Sequence, residues 1–464
     1  MPPDEAARRR AVRPDPWSRC APRAQRGRRV AGAARSASAR QRWWVVALLV
    51  AAVVAGGLGA PGTASAQKVL VYMDLAQADH LKAYGLAYWC LEQGLNVEWL
   101  LNYRAGSFLI DASDLVARKA ILMGVAFDVV PDGSVAEIYA TIERENMEVV
   151  LLEKAPAIAV YAPPDKEPWD DAVMLALDYA EIPYTKIYDD NVLAGELDDY
   201  DWLHLHHEDF TGQYGKFYSN YRDADWYKQQ VATSEATARR LGFAKVSELK
   251  GAVARKIKEY AGRGGFLFTM CSGTDSFDIA LAAEGDDIVA EPFDGDPPDP
   301  RYQQKLDYSK ALAFTDFKII PNPMVYEYSD IDTTPKATRR GQTNDYFTLF
   351  DFSAKHDPIP AMLTQNHVAV INGFMGQTTG FEKGLVKKSV TILAETEGQD
   401  DVRYLHGALG KGTFTYYGGH DPEDYQHMVG DPPTDLALHK NSPGYRLILN
   451  NVLFPAARKK EQKT

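Results

Sequence analysis

From residue 68 onward the chain alternates short apolar runs with stretches of helical spacing, and this rhythm constrains its fold more than any other feature. KVLVYM (68–73) is followed by DHLKAYGLAYWCLEQG, which ends at Gly94, a common helix-ending residue, and then by NVEWLL. Strand, helix and strand in that order predict a βαβ unit with a parallel sheet. DLVARKAILMG, VAFDVV and MEVVLLE carry the pattern to about Lys154. A second series starts at AIAVYAPP (157–164) and runs through WDDAVMLALDYAE, YTKIYD, LDDYDWLHLHHEDF and VSELKGAVARKIKEYAGRGG to FLFTM (266–270). Between about 285 and 400 the rhythm weakens and Pro and Gly cluster, as in EPFDGDPPDP. It returns at VRYLHGALGKGTFTYYGGHDPEDYQ and closes with the helix GYRLILNNVLF. The expectation is an α/β protein with mostly parallel sheets and flanking helices. Residues 67–154 form an N-terminal βαβ unit, and residues 155–464 form a larger domain with an irregular insertion near 285–400.

Residues 1–66 differ in kind. They hold twelve Arg and three acidic residues, then an apolar run over 43–55, then Ala64-Ser65-Ala66. A basic start, a short apolar stretch and an A-x-A site describe a secretory signal peptide behind a basic extension. The run is short of the roughly 20 apolar residues of a transmembrane helix, so no stable span is expected after cleavage. The chain is thus expected to be exported, to a periplasmic or extracellular location. Residues 67–464 carry 39 basic and 60 acidic side chains. That balance argues against nucleic acid as a partner, because phosphate backbones require basic patches. Only Cys90 and Cys271 follow residue 66, in different predicted units, so a disulfide framework is not expected. No cofactor and no metal is assigned, and the oligomeric state is left open.

Cys271 is the most informative residue. It follows the apolar strand FLFTM and precedes SGTDSFDIALAA, which has helical spacing. Ligands of open α/β sheets bind beyond the carboxyl ends of the strands, which is where this thiol falls. Backbone N–H groups at a helix start favour negative charge there, and Gly273 keeps the turn narrow. A nucleophilic Cys needs a base held by a carboxylate. GTFTYYGGHDPEDY offers His420 after a late strand, with Glu423, or the adjacent Asp421, close behind. The expected pair is a Cys271 thiolate activated by His420.

This combination resembles class I glutamine amidotransferase-like domains, whose elbow reads G-x-C-x-G and whose late strand is followed by His-x-Glu. The resemblance covers about 157–283 and 402–455. It implies a flavodoxin-like main domain with Cys271 as nucleophile, His420 as base and Glu423 as its orienter. Over nearly all of 67–464 the chain is also similar to an exported bacterial family often labelled asparagine synthetase B, through WLHLHHEDFTGQYGKFY and YGGHDPEDYQHMVGDPPTDL. The leading functional expectation is a cysteine-dependent amidase or hydrolase. The alternative is a non-catalytic cell-envelope binding module, and a third reading is the glutamine-hydrolysing asparagine synthetase of the label. SGTDS (272–276) also resembles, less closely, the pyrophosphate-cradling loop of ATP pyrophosphatases.

HLHHED (204–209) is the other polar cluster. On a strand His204 and His206 share a face. With Glu208 or Asp209 they have the residue types of a zinc site, but the ligand set is incomplete, and a polar strand end is the better reading. His206, His207, Glu208 and Gly273 are therefore expected to contact substrate in the cleft of Cys271. The substrate would be a small molecule, a peptide or a glycan. The aromatic run Phe210, Tyr214, Phe217, Tyr218, Tyr221, Trp226, Tyr227 is expected mainly to pack, since aromatic side chains bury large areas.

Overall fold

The structure, a computed structural model, describes residues 67–164 and 170–458. The Arg-rich start and its Ala64-Ser65-Ala66 site lie outside the described residues. The chain folds as mixed α/β, with two sheets.

The first sheet holds β1 (Lys68–Val71), β2 (Val97–Leu101), β3 (Ser107–Asp111), β4 (Phe127–Val130) and β5 (Glu148–Leu152) in the order β4-β1-β3-β2-β5. Helices α1 (His80–Glu92), α2 (Asp114–Met123) and α3 (Asp132–Arg144) connect them. Each start is set locally. Asp79 accepts the amide of Lys82 at the head of α1, and Ser113 accepts that of Val116 at the head of α2. The parallel βαβ unit expected here is not formed. β1 and β2 are separated by β3, and all four ladders are antiparallel. The physical reason is a tight turn over 102–106, where Asn102, Arg104, Ala105 and Gly106 all have positive φ. It folds SFLID back onto β2, and β1 then pairs with β3. The β4-β1-β3-β2 core is the split βαβ arrangement, with β5 added at the edge.

The second sheet begins with β6 (Ile158–Tyr161), α4 (Ala172–Ala180), β7 (Thr185–Ile187), β8 (Trp202–Leu205), α5 (Val246–Arg263), β9 (Phe266–Met270) and α6 (Ser272–Ala282). The segment expected to be irregular adds β10 (Tyr346–Leu349), β11 (Val370–Asn372), β12 (Phe381–Glu382) and β13 (Thr391–Glu395). β14 (Asp401–Leu409), β15 (Gly412–Tyr417) and α7 (Pro443–Leu453) follow. The strand order is β11-β10-β13-β14-β15-β9-β8-β6-β7, with β12 on β14. Only the run β15-β9-β8-β6-β7 is parallel. The remaining ladders are antiparallel, so the sheets are not mostly parallel: residues near 285–400 build an antiparallel wing onto a parallel half.

The parallel strands read as continuous apolar runs because both faces are covered. One face, with Val160, Trp202 and Phe268, packs with α1, α4 and α7 and shares its core with the first sheet. The other, with Ala159, Leu203 and Leu267, packs with α5 and α6. Asp278 of α6 fastens the wing: its buried carboxylate accepts the amides of Leu312, Ala313 and Phe314 and the hydroxyl of Tyr416. β8, β9 and β15 are neighbours in register, with Leu205 opposite Thr269 and Met270 opposite Tyr417. Their carboxyl ends therefore deliver His206, Cys271 and His420 to one edge.

Candidate active site

Cys271 sits between β9 and α6 at φ 49° and ψ −141°. A non-Gly residue with positive φ outside the left-handed helical well is strained, and the surroundings must hold it. Three backbone contacts do so. The Cys271 amide donates to Gly419 O at 3.1 Å, the Gly273 amide to His206 O at 2.7 Å and the Thr274 amide to Cys271 O at 3.2 Å. Gly273 is required by space: a Cβ there would stand 2.5 Å from His206 O. Its amide is spent on the strand end and is not offered to a substrate. With the Thr274 amide also engaged, the turn is not set up as a pyrophosphate cradle.

The thiol is buried. The amide of Gln377 donates to Sγ at 3.2 Å. Burial pushes the thiol up to about 11, against the lowering effect of N–H groups from Gln377, Ser272 and Thr378. Burial thus favours the protonated thiol and opposes the helix-start N–H groups on which the thiolate expectation rested. Burial and the neighbouring His206, His207 and His427 hold His420 well below the usual imidazole range, so it rests neutral. The directions of both shifts favour a neutral thiol and a neutral imidazole on the shared cavity.

Cys271 and His420 line one cavity of about 310 Å³. Phe217, Tyr221, Tyr326, Met375 and Met428 supply its apolar wall, and Gln377 and His427 its polar one. Among the described residues, no Lys, Arg, Asp or Glu lines it. His427 is raised to about 9, chiefly by Asp170, whose Oδ1 lies 3.1 Å from Nε2, while Asp424 takes Nδ1 at 3.0 Å. Its positive charge is thereby matched within the wall. Much of the aromatic run packs as expected: Phe210, Tyr214, Phe217 and Tyr227 are buried. Phe217 and Tyr221 in addition face the cavity, stacked edge-on at 5.9 Å.

The residues proposed around this pair fall differently. Glu423 does not orient His420: its Oε2 lies 2.8 Å from Nδ1 of His439. Asp421 accepts the amide of Glu423. The group on Nδ1 of His420 is instead Nε2 of His206, at 2.9 Å. His206 and His207 are buried and stand behind His420 rather than among the cavity-lining residues. Glu208 is buried as well, and its carboxylate accepts the amide of His206 at 3.3 Å. His204, on the same face as Trp202, continues the line inward, with Nε2 3.2 Å from Nδ1 of His206.

Sequence reasoning missed Asp171. It caps α4, accepting the amides of Val173 at 2.7 Å and Met174 at 3.0 Å. Its carboxylate also stands 3.5 Å from both His204 Nε2 and His206 Nδ1. These positively polarised neighbours hold it well below the usual carboxylate range despite burial. The only sequence signal was an Asp immediately before an apolar helical run. Two buried groups bring donor atoms within 4.8 Å of one another, His206 with His207 and His420, and Asp171 with His204 and His206. In the first, the 2.9 Å between His206 and His420 is a hydrogen bond; two imidazoles on a tetrahedral zinc, with bonds of about 2.0–2.1 Å, stand about 3.3 Å apart. In the second, Asp171 is already engaged as the helix cap.

No protein-family model matches this chain, and no curated protein matches it. Among solved structures, cytoplasmic protein STM3548 from Salmonella typhimurium is similar at 12% identity, covering 66% of this chain and 100% of its own, with a TM-score of 0.31. Cytoplasmic protein STM1381 from Salmonella typhimurium LT2 is similar at 12% identity over 65% of this chain and 99% of its own, with a TM-score of 0.30. Likenesses of this size carry no argument about the fold or the activity.

Proposed function

We propose that the protein is a cysteine-dependent amidase or hydrolase of the class I glutamine amidotransferase-like kind, with Cys271 as nucleophile and His420 as general base. The observation that carries this reading is the strained backbone of Cys271, at a strand-to-helix elbow that lines the same cavity as His420. Non-Gly residues are held in such conformations chiefly where function requires it. Two further features support it. The parallel strands run β7-β6-β8-β9-β15, which in chain order is the 2-1-3-4-5 arrangement of flavodoxin-like sheets. The amides of Ser272 and Gln377 already point at the sulfur, where an acyl oxyanion would also find donors.

Catalysis would start from the neutral pair. As Sγ attacks an acyl carbon, its proton passes to His420, the carbonyl oxygen gathers charge and the amides stabilise it. His420 then returns the proton to the leaving group, and water resolves the thioester. The lining suits a neutral acyl group with an apolar or planar portion. A free amino acid such as glutamine would bring an ammonium and a carboxylate, for which the wall has no unmatched opposite charge. The Arg-rich start and A-x-A site support export, to the periplasm or beyond.

The test is intact-mass analysis after incubation with a panel of neutral aryl and acyl esters and amides. A covalent acyl adduct on the Cys271 peptide is expected, absent in Cys271→Ala and reduced about 10²–10⁴-fold in His420→Ala. Turnover retained in Cys271→Ala overturns the proposal. Ligand binding in the cavity without any adduct would instead mark a binding module.

A further inference from the structure

The carboxylate that the base of a cysteine hydrolase normally requires is on another histidine here, since Glu423 pairs with His439. What stands behind His420 is a row of imidazoles ending at a backbone carbonyl. We propose that His206 is a positioning residue: Asp171 holds the proton on its Nδ1, its Nε2 accepts from His420, and this fixes His420 as its Nδ1–H tautomer and leaves Nε2 as the basic nitrogen. This rests on the reading of His420 as the base for Cys271.

The direction of the chain follows from which atoms can only accept. A backbone carbonyl accepts, so His204 Nδ1, 3.0 Å from Phe268 O, carries a proton. The Nε2 of His204 lies 3.2 Å from His206 Nδ1 and 3.5 Å from Asp171 Oδ2, so the two ring nitrogens face one carboxylate. Asp171 sets the direction at His206. Its ionised carboxylate accepts only, and its Oδ1 lies 3.5 Å from the same His206 Nδ1. His206 has one ring proton to place, because burial keeps it neutral. With that proton on Nδ1, its Nε2 accepts, and the partner at 2.9 Å is His420 Nδ1. The proton of neutral His420 is therefore on Nδ1, and Nε2 is the lone pair.

The chain is rigidly held. His204 and His206 are fully buried. His204 packs in a three-ring cluster with Trp202 and Phe268, at ring distances of 5.9 and 5.5 Å. Asp171 is fixed by its two capping bonds at the head of α4, so the acceptor at the inner end moves only if the helix does. The charged and titratable groups facing the row include Asp171 from α4, His207 and Glu208 from the end of β8, and Asp170 and His427 at its cavity end. A lone imidazole in solution samples both tautomers; this arrangement admits one. The other tautomer would place N–H on the nitrogen that has to take the thiol proton.

The test is carried on the full chain with 15N-histidine. Long-range 1H–15N correlation distinguishes protonated from bare ring nitrogens, and His420 is assigned by its loss in His420→Ala. The expected spectrum shows a protonated Nδ1 and a bare Nε2 for His420, unchanged from pH 6 to 8. His206→Leu removes the acceptor. It should mix the two tautomers of the remaining His420 and lower the rate of acyl-adduct formation on Cys271 about 10²–10⁴-fold, with KM nearly unchanged. His206→Gln, whose amide oxygen accepts from Nδ1, should recover most of the rate. A wild-type His420 protonated on Nε2 overturns the inference. So does a His206→Leu protein that retains the wild-type tautomer and rate, or stoichiometric zinc held by His206, His207 and His420. If the tautomer is found as stated while Cys271→Ala still turns over substrate, the nucleophile assignment fails and the hydrogen-bond chain stands.

Discussion

At Cys271 the chain holds a side chain where glycine would sit more easily. Positions in sparsely populated backbone regions cost about 1–3 kcal/mol. The thiol is small, and little apolar area is lost if it is removed. Cys271→Gly should therefore be about as stable as the wild type, or more so, even though the position is buried. Urea unfolding would measure this. A loss of more than about 2 kcal/mol would show that the thiol's packing, not backbone strain, dominates the site. The expectation rests on geometry alone and holds whether or not the thiol is the nucleophile. It contrasts with Cys90, which lies within the regular helix α1, where burial pushes its thiol up to about 12 and no N–H group offsets it. Two buried cysteines are thus distinguished by backbone conformation and by what points at the sulfur.

At the scale of the element, α6 begins at the elbow and carries an acid into the core. Asp275 is fully buried in its first turn, accepting the hydroxyl of Thr378 at 2.7 Å through Oδ1, while Oδ2 has no hydrogen-bond partner. Burial raises it to about 7, with Asp209 adding repulsion. A carboxyl raised in the folded state binds its proton there more tightly than in the unfolded chain. Folding is then favoured at low pH, and stability falls as pH rises from about 4 to about 7, levelling off above. Asp332, raised in the same sense and repelled by Asp275, adds to the fall. Asp275→Asn should reduce this decline and be the more stable protein at pH 8, by at most about 4 kcal/mol. Melting temperatures at half-unit steps of pH would check it, and an unchanged slope between pH 4 and 7 would refute it. Asp275 was legible in the sequence only as part of a loop motif, because nothing local reveals that a helix start is covered. β6, β8, β9 and α6 were legible because strands buried on both faces are written as unbroken apolar runs. β3 was not, since five residues after a turn of mostly unremarkable types do not announce that they will come between two others. The cluster 204–209 was visible, but its role depends on Asp171 and His420, which are distant in sequence and meet it only through the sheet. Glu423 was misplaced for the same reason: closeness along the chain after His420 says nothing about which way a loop side chain turns.

At the scale of the molecule, the two sheets share a core, and one residue states why they should unfold together. Arg446 of α7 is fully buried with its guanidinium among residues of the N-terminal sheet. It donates to Met73 O at 2.7 Å, to the hydroxyl of Tyr84 at 3.1 Å and to the carbonyl of Ala105. Around it, Val69, Leu81 and Trp99 from the first sheet's unit pack in one cluster with Tyr445, Leu449 and Val452 of α7. His80 stacks on His367 at 4.4 Å, and its Nε2 lies 3.0 Å from Met73 O. Residues 67–154 accordingly do not present a finished surface of their own. Without α7, α1 would expose its apolar face and the carbonyls of Met73 and Ala105 would lose a charged donor. Arg446→Ala takes the charged donor from Ala105 O and from Met73 O, which keeps His80 Nε2, at about 1–3 kcal/mol in all, and opens a cavity the length of an Arg side chain. The expected result is one cooperative unfolding transition in both wild type and variant, with the variant's midpoint lowered and the near-ultraviolet signal and helix content lost together. Two resolved transitions in the wild type, or a variant in which only residues 67–154 become protease-sensitive while the rest keeps its melting temperature, would show that the N-terminal sheet is a separate domain docked on the site-bearing one.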